Sequence, residues 1–174
     1  MSEILTDTPC PAAAESIIRA LQDELRERIR REGCGPFLAA VYDAEGRLIA
    51  KAANSVVKEQ CSHCHAEMNA IRAAQKALGT YDLSPFALSI YVTAEPCIMC
   101  LGGIMWSGIQ AVYYGVPSAT VERITGFDEG FKPDWHAEFR KRGISVCGNI
   151  APEAGEAVLH DYMRSGLAVY KPQR

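Results

Sequence analysis

The chain of 174 residues is long enough to bury a hydrophobic core, and its length fits a single domain. Its composition is ordinary for a folded globular protein, with 48% apolar and 22% charged residues. No run of about 18 apolar residues occurs, so we expect no membrane span. The formal net charge of −3 argues against a nucleic-acid partner, since surfaces that bind phosphates are usually basic.

The N-terminal residues and the cysteines bear on the cellular compartment. Residues 1–11 contain two prolines and lack the basic and apolar regions of a secretory signal, so we expect a loose arm. The seven cysteines are an odd number without a disulfide spacing. Reduced cysteines are typical of the cytoplasm, and we therefore expect a cytoplasmic protein.

The first half of the chain predicts a helix, two strands and a second helix. From residue 12, apolar side chains recur on one stripe with charges opposite, and Gly33 ends this helix. Residues 37–42 and 47–52 read as two strands joined by a turn, and residues 55–62 as a polar loop. A second helix is predicted over residues 64–78, which places His65 and Glu67 in its first turn.

The second half predicts further strands that alternate with helices. Residues 88–93 are apolar and β-branched enough for a central strand, and a buried helix follows from Pro96 to Trp106. Residues 111–115 and 144–147 read as strands, residues 135–142 and 153–165 as helices, and residues 116–134 have few regular patterns. This alternation predicts an α/β fold with a single domain over residues 1–174.

Two separate segments carry the residue types that bind zinc. His65-Ala66-Glu67 is followed, thirty-two residues after the histidine, by Pro96-Cys97-Ile98-Met99-Cys100. One imidazole and two thiolates supply three ligands for a tetrahedral zinc ion, and catalytic zinc sites often leave the fourth position to water. Each half alone is a weak signal, since Cys-x-x-Cys also occurs in redox pairs and structural zinc sites. Together they match the signature of zinc-dependent base deaminases.

With these motifs the chain resembles the cytidine-deaminase-like superfamily, and within it the bacterial guanine deaminase branch. The resemblance covers residues 35–130, and its more selective part is Gly126-Phe127-Asp128-Glu129-Gly130, which is similar to an acidic segment of those enzymes. It implies a three-layer α/β/α sandwich around a five-stranded mixed sheet. It also implies one zinc ion per subunit, a small-molecule nucleobase substrate and a homodimer.

The resemblance implies a zinc-dependent aminohydrolase of class EC 3.5.4. Zinc would lower the pKa of a bound water, so that hydroxide attacks an amidine carbon of the base. Glu67 would take the proton of the water and return protons to the ring nitrogen and to the leaving amine. If the base is guanine, attack is at C2, and the products are xanthine and ammonia.

The resemblance also implies substrate-binding roles for four residues. Glu129 would contact the purine and help move protons, and Asn54 would hydrogen-bond the base. Phe37 would line the pocket, and Tyr170 belongs to a C-terminal tail, residues 166–174, that would close over it. On composition alone, Asn54 is typical of a turn, Phe37 of the core and Glu129 of a solvated loop. Trp106 reads as core or dimer interface.

Other functions remain open on the sequence. Ammeline, guanosine, a pterin or cytosine would present a similar aminated ring, and tRNA adenosine deaminases share both zinc motifs. A non-enzymatic zinc module would use Cys61, Cys64, Cys97 and Cys100 as a four-cysteine site. The 32 residues between the two pairs exceed the roughly 15–20 that are typical of such modules. That alternative would also leave Glu67 without a role.

Overall fold

The fold was described from a computed structural model, in which residues 10–170 are placed. In chain order the elements are α1 (Ala14–Glu32), β1 (Leu38–Tyr42), β2 (Leu48–Ala53), α2 (Val56–Glu59), α3 (Ala66–Leu78), β3 (Ser89–Ala94), α4 (Ile98–Ser107), β4 (Ala111–Val116), α5 (Ser118–Thr125), α6 (Trp135–Lys141), β5 (Ser145–Cys147) and α7 (Pro152–Arg164). A short 3-10 turn, Ser84–Phe86, precedes β3.

The five strands form one mixed sheet in the order β2-β1-β3-β4-β5. Strand β1 pairs antiparallel with both β2 and β3, whereas β3–β4 and β4–β5 are parallel pairs. Strand β3 lies at the centre and is buried along nearly its whole length, as its apolar and β-branched sequence predicts. The predicted five-stranded mixed sheet is confirmed.

Alternate residues of the strands face opposite helical layers. Helices α1 and α7 contact one face of the sheet, and α3 packs on the other face beside α4. Because side chains alternate along a strand, neighbouring residues enter different cores. Leu38 and Tyr91 pack with the side chains of α1, whereas Ala39 and Ile90 pack with those of α3. The predicted three-layer α/β/α sandwich is therefore confirmed.

Several local predictions were wrong. The loop 55–62 contains the short helix α2, and the segment 116–134 contains α5, whose buried Val121 packs beside α7. Helix α3 begins after His65, and α4 begins after Cys97, so that Pro96 lies outside the helix. Helix α4 is not buried throughout, because 83% of Trp106 is exposed. Trp106 is thus not a core residue.

The termini and the cysteines differ in part from expectation. Cys10 lies against Cys147, with a Cα–Cα distance of 5.7 Å that would permit a disulfide. No disulfide was expected, and at a sequence separation of 137 the two cysteines form no motif that could have indicated their contact. The rest of the predicted arm, residues 1–9, and the end of the tail, residues 171–174, lie outside the described residues. Within residues 10–170, no helix has the length and apolarity needed to cross a membrane.

Candidate active site

The three candidate zinc ligands meet where two helices begin. His65 is the N-cap residue of α3, and Cys97 is the N-cap residue of α4. Cys97 Sγ lies 3.5 Å from His65 Nδ1, and Cys100 Sγ lies 3.7 Å from the same nitrogen. The three donor atoms all lie within 4.8 Å of one another. The packing of α3 against α4 therefore brings the two halves of the motif together, as predicted.

This donor set fits a tetrahedral zinc ion. Zinc–sulfur bonds of about 2.3 Å and zinc–nitrogen bonds of about 2.1 Å place neighbouring donors roughly 3.6 Å apart. The two sulfur–nitrogen distances agree with that spacing. Hydrogen bonds from Cys100 and from His65 lower the pKa of Cys97 to about 4, so that Cys97 is a thiolate at neutral pH. The site thus offers both the geometry and the negative charge that a metal ligand set needs.

Glu67 lies in the first turn of α3, buried beside the three candidate ligands. Its side chain is 5% exposed and forms a hydrogen bond with Cys100. Burial, and then the neighbouring negative charge of Cys97, raise the pKa of Glu67 to about 7. A carboxyl group that titrates near neutrality can both accept and donate a proton under physiological conditions.

Glu129 reaches the same site from the loop between α5 and α6. Its side chain is 4% exposed, and its Oε2 is one of two fully buried side-chain atoms of the described residues that lack a hydrogen-bond partner. Burial raises the pKa of Glu129 to about 8, although Lys132 acts to lower it. A buried carboxyl group with an unused acceptor is costly for the fold, and such groups are common at functional sites.

Lys132 links Glu129 to the segment that carries the two cysteines. Its Nζ lies 3.7 Å from Glu129 Oε2 and 3.3 Å from Glu95 Oε1. Glu95 directly follows β3 and accepts hydrogen bonds from the Ser118 backbone at 2.9 Å and from the Trp135 indole at 3.1 Å. This network fixes the acidic loop relative to the start of α4.

A cavity of about 510 Å³ opens beside the three candidate ligands, within the size range of small-molecule sites. Its wall is formed by Ser62, His65, Cys97, Ile98, Met99, Phe127, Asp128, Glu129, Gly130 and Tyr170. Two residues predicted from separate parts of the chain, Glu129 and Tyr170, are therefore brought to the same cavity as the candidate zinc ligands. Glu67, which is buried, is not one of these wall residues.

Asn54 and Phe37 line a smaller, neighbouring cavity of about 20 Å³. The Asn54 main chain is hydrogen-bonded to Gly35 and Phe37, and its Oδ1 accepts a hydrogen bond from the Val56 N–H at 3.2 Å. Phe127 and Tyr170 line both cavities, so the two cavities adjoin. The structure thus places Phe37 one aromatic ring, that of Phe127, away from His65.

The sequence analysis missed three residues that shape this site. The Phe127 ring stands between those of Phe37 and His65, with centroid distances of 6.3 Å and 6.2 Å. Lys132 and Glu95 form the ion-pair network described above. Phe127 lies within the acidic motif, so its position was a usable signal. Lys132 and Glu95 gave no such signal, because their pairing depends on how α5 and the following loop fold.

The four-cysteine alternative is contradicted by the arrangement of the thiols. Cys97 and Cys100 group with His65, whereas Cys61 and Cys64 form a separate group with His63. No group of metal-binding side chains within residues 10–170 combines the two cysteine pairs. The histidine therefore belongs to the first site, as the deaminase signature requires.

Comparison with known proteins defines the class. Residues 11–116, more than half of the chain, match the zinc-binding region of cytidine and deoxycytidylate deaminases. The chain therefore belongs to this family of zinc-binding deaminases. The family resemblance and the zinc cofactor predicted from the sequence are confirmed by this match and by the cluster of His65, Cys97 and Cys100.

Individual relatives refine the comparison. The solved structure of guanine deaminase from Nitrosomonas europaea is 37% identical, with a TM-score of 0.82 over 90% of this chain and 88% of that one. The guanine deaminase of Bacillus subtilis is 41% identical over 97 residues, 56% of this chain and 60% of its own length. The tRNA-specific adenosine deaminase of the same organism is 38% identical over 96 residues, 55% of this chain and 58% of its own. The match thus spans about three fifths of these two curated relatives.

Proposed function

We propose that this protein hydrolyses guanine to xanthine and ammonia. The observation that carries the proposal is a pair of buried carboxyl groups at one zinc site. Glu67 lies beside the three candidate ligands, and Glu129 lines the adjoining cavity with an oxygen that has no hydrogen-bond partner. The likeness to the guanine deaminases of two bacteria supports this choice of substrate.

His65, Cys97 and Cys100 would hold the zinc ion, which when bound would supply Lewis-acid activation of the attacking water. Glu67 accepts one proton from that water as its oxygen forms a bond to C2 of the purine, and passes this proton to the adjacent ring nitrogen. Glu67 then takes the second proton from the new C2 hydroxyl group and donates it to the amino group. The C2–N bond breaks, ammonia leaves and the oxygen remains on C2, so that guanine and water become xanthine and ammonia.

Glu129 would select guanine through hydrogen bonding. Guanine presents neighbouring N–H donors, and a carboxylate accepts two of them at once. Without such donors, the ionised form of Glu129 is unfavourable, because Oε2 has no hydrogen-bond partner and lies 3.7 Å from Lys132, and burial raises the pKa of Glu129 to about 8. A base that offers fewer donors leaves this cost in place, which disfavours cytosine and adenine more than it favours guanine.

Asn54, Phe37 and Tyr170 would complete the base-binding site. Asn54 Oδ1 is engaged by Val56, so its amide N–H groups are the atoms that Asn54 offers to a ligand. Tyr170 borders both cavities and is suited to close them. Phe127 stands between Phe37 and His65, and a base that contacts both must displace the Phe127 ring or stack on it.

A single assay tests the substrate. Ammonia release by the zinc-loaded protein is measured with guanine, guanosine, ammeline, a pterin, cytosine, adenine and a tRNA that carries an anticodon adenosine. We expect the highest kcat/KM with free guanine and xanthine as the product, identified by its absorbance spectrum. Turnover of tRNA without turnover of any free base would replace this proposal with the tRNA adenosine deaminase alternative. Glu67→Gln is the matched inactive control.

We further propose a homodimer in the cytoplasm. The exposed face of α4, where 83% of the Trp106 side chain and 38% of Ile98 are accessible, is an apolar surface that a second copy could cover. Sedimentation of the wild-type chain and of Trp106→Lys tests the dimer, which the lysine should weaken. The cytoplasm keeps thiolate ligands such as Cys97 reduced, and fractionation of the source cells tests this compartment.

A further inference from the structure

A second group of metal-binding side chains lies on the loop between α2 and α3. Cys61 Sγ is 3.3 Å from His63 Nδ1 and 3.4 Å from Nε2. The ligand atoms of Cys61, His63 and Cys64 all lie within 4.8 Å of one another. Among residues 10–170, this group and the one around His65 are the two sets of three such residues. The chemistry of the candidate active site makes no use of the second set.

A carboxylate lies beside one thiol of this cluster. Glu59 Oε2 lies 3.6 Å from Cys64 Sγ, and Oε1 accepts a hydrogen bond from Ser55 Oγ at 2.5 Å. Zinc accepts a carboxylate oxygen beside nitrogen and sulfur ligands. Glu59 does not share the 4.8 Å spacing of the three-residue group, so its exposed side chain must turn towards Cys61 and His63 to complete a set of four donors within residues 59–64.

The backbone of the loop already holds the two thiols near each other. The Cys64 N–H donates to the Cys61 carbonyl at 3.1 Å, which closes the Cys-x-x-Cys turn. The Cys61 N–H donates to the Val56 carbonyl at 3.1 Å, and the Ser55 N–H donates to the Cys64 carbonyl at 3.0 Å. A metal would therefore bind side chains whose main chain is largely ordered in advance, which lowers the entropic cost of binding.

We propose that Cys61, His63 and Cys64, with Glu59 as the fourth ligand, form a second zinc site that is separate from the candidate active site. The mixed nitrogen and sulfur donors favour zinc over magnesium or calcium, which prefer oxygen ligands. Cys64 is buried, Cys61 is half-buried and His63 is exposed, so the site can be reached from solvent. With four protein ligands, the site has the closed coordination of a structural zinc.

Zinc at this position would brace the segment that presents His65. Cys64 directly precedes His65, and Ser62 lines the 510 Å³ cavity. Asn69 Nδ2 also donates to the Cys64 carbonyl at 3.2 Å and to Ser55 Oγ at 2.9 Å, which anchors the loop to α3. Loss of the second zinc should therefore loosen the loop and weaken zinc binding at the first site.

The test counts zinc ions per chain by mass spectrometry, after zinc loading and dialysis under reducing conditions. The wild-type chain and Cys34→Ser should each hold two zinc ions, because the free thiol of Cys34 belongs to neither group. The double variant Cys61→Ser/His63→Ala should hold one. One zinc ion in the wild-type chain, or two in the double variant, would overturn the proposal.

A milder variant covers the case in which the double variant does not fold. His63→Ala changes an exposed side chain and should release one zinc ion to a metallochromic chelator at a concentration that leaves both ions in the wild-type chain. Identical release from the two proteins would count against the second site. The zinc count does not depend on turnover, so protein that holds two zinc ions without deaminating guanine would refute only the proposed function.

Discussion

Replacement of Glu129 by glutamine separates the functional role of this carboxylate from its effect on stability. The side chain is 4% exposed, its Oε2 has no hydrogen-bond partner, and Lys132 lies 3.7 Å away. Glutamine keeps the shape of the side chain but removes the charge and one acceptor. If Glu129 binds the N–H groups of guanine, the variant should lose turnover without losing stability.

The expected loss of activity follows from the two hydrogen bonds. A hydrogen bond to a charged group contributes about 1.5–3 kcal/mol, so two of them contribute about 3–6 kcal/mol. Since about 1.4 kcal/mol corresponds to a factor of ten in rate, kcat/KM for guanine should fall by about 10²–10⁴. The amide nitrogen of glutamine would also face an N–H donor of the substrate, which favours the upper part of this range.

The expected effect of Glu129→Gln on stability has the opposite sign to its effect on activity. Burial raises the pKa of Glu129 from 4.5 to about 8, so the folded protein binds more protons than the unfolded chain between these two values. The wild-type chain must therefore lose stability as the pH rises through this window. The difference of 3.5 pKa units corresponds to at most about 5 kcal/mol, which a bound divalent cation would reduce. Glu129→Gln should lack this dependence.

The assay combines xanthine formation with urea unfolding at pH 5 and pH 8.5. Glu153→Gln is the matched control, because it makes the same chemical change at an exposed residue of α7 that lines neither cavity. We expect Glu153→Gln to leave kcat/KM within about threefold of wild type, a difference of less than about 1 kcal/mol. Guanine turnover by Glu129→Gln within the same threefold range would refute the role assigned to Glu129.

Three further predictions concern the proton shuttle, the ion-pair network and the sheet. Glu67→Gln should reduce kcat by at least about 10³ while the zinc content stays at the wild-type value, because in the proposed mechanism Glu67 transfers protons and does not bind zinc. Loss of zinc from this variant would instead indicate that Glu67 is a zinc ligand. Lys132→Met removes the cation that lowers the pKa of Glu129, so the acidic limb of the pH profile of kcat/KM should move to higher pH. An unchanged pH profile would contradict the role of the ion-pair network around Lys132. Gly115→Ala places a Cβ 2.4 Å from a backbone oxygen of β3 and should cost about 1–3 kcal/mol in urea unfolding. Gly102→Ala, where a Cβ meets no atom within 4 Å, is the control that should not destabilise the fold.

The sequence by itself predicted the candidate zinc ligands and an α/β fold. His65, Cys97 and Cys100 are recognisable because few residue types bind zinc and because the His-x-Glu and Pro-Cys-x-x-Cys spacings are each local. The central strand β3 and the amphipathic helix α1 are recognisable because their apolar patterns repeat over many residues. These patterns are local, so they can be recognised without knowing how the rest of the chain folds.

Short elements were not determined in this way. The helices α2, of four residues, and α5, of eight, have too few turns for a period to stand out. Helix α5 is stabilised by the contact of Val121 with Leu159 of α7, which is distant in the sequence. The sequence likewise did not predict the exposure of Trp106, because a helix that is apolar throughout gives no sign of which of its turns lies at the surface.

Only the tertiary structure decided how the remaining polar residues act. The ion pairs of Lys132 with Glu95 and Glu129 need the end of β3 and the loop after α5 to meet, and the sequence of neither segment specifies that encounter. Glu129 lies in the loop that forms these ion pairs, and its burial raises its pKa. A local pattern can name a donor or an acid, but its environment depends on atoms brought from distant parts of the chain, and that environment sets its charge and its chemistry.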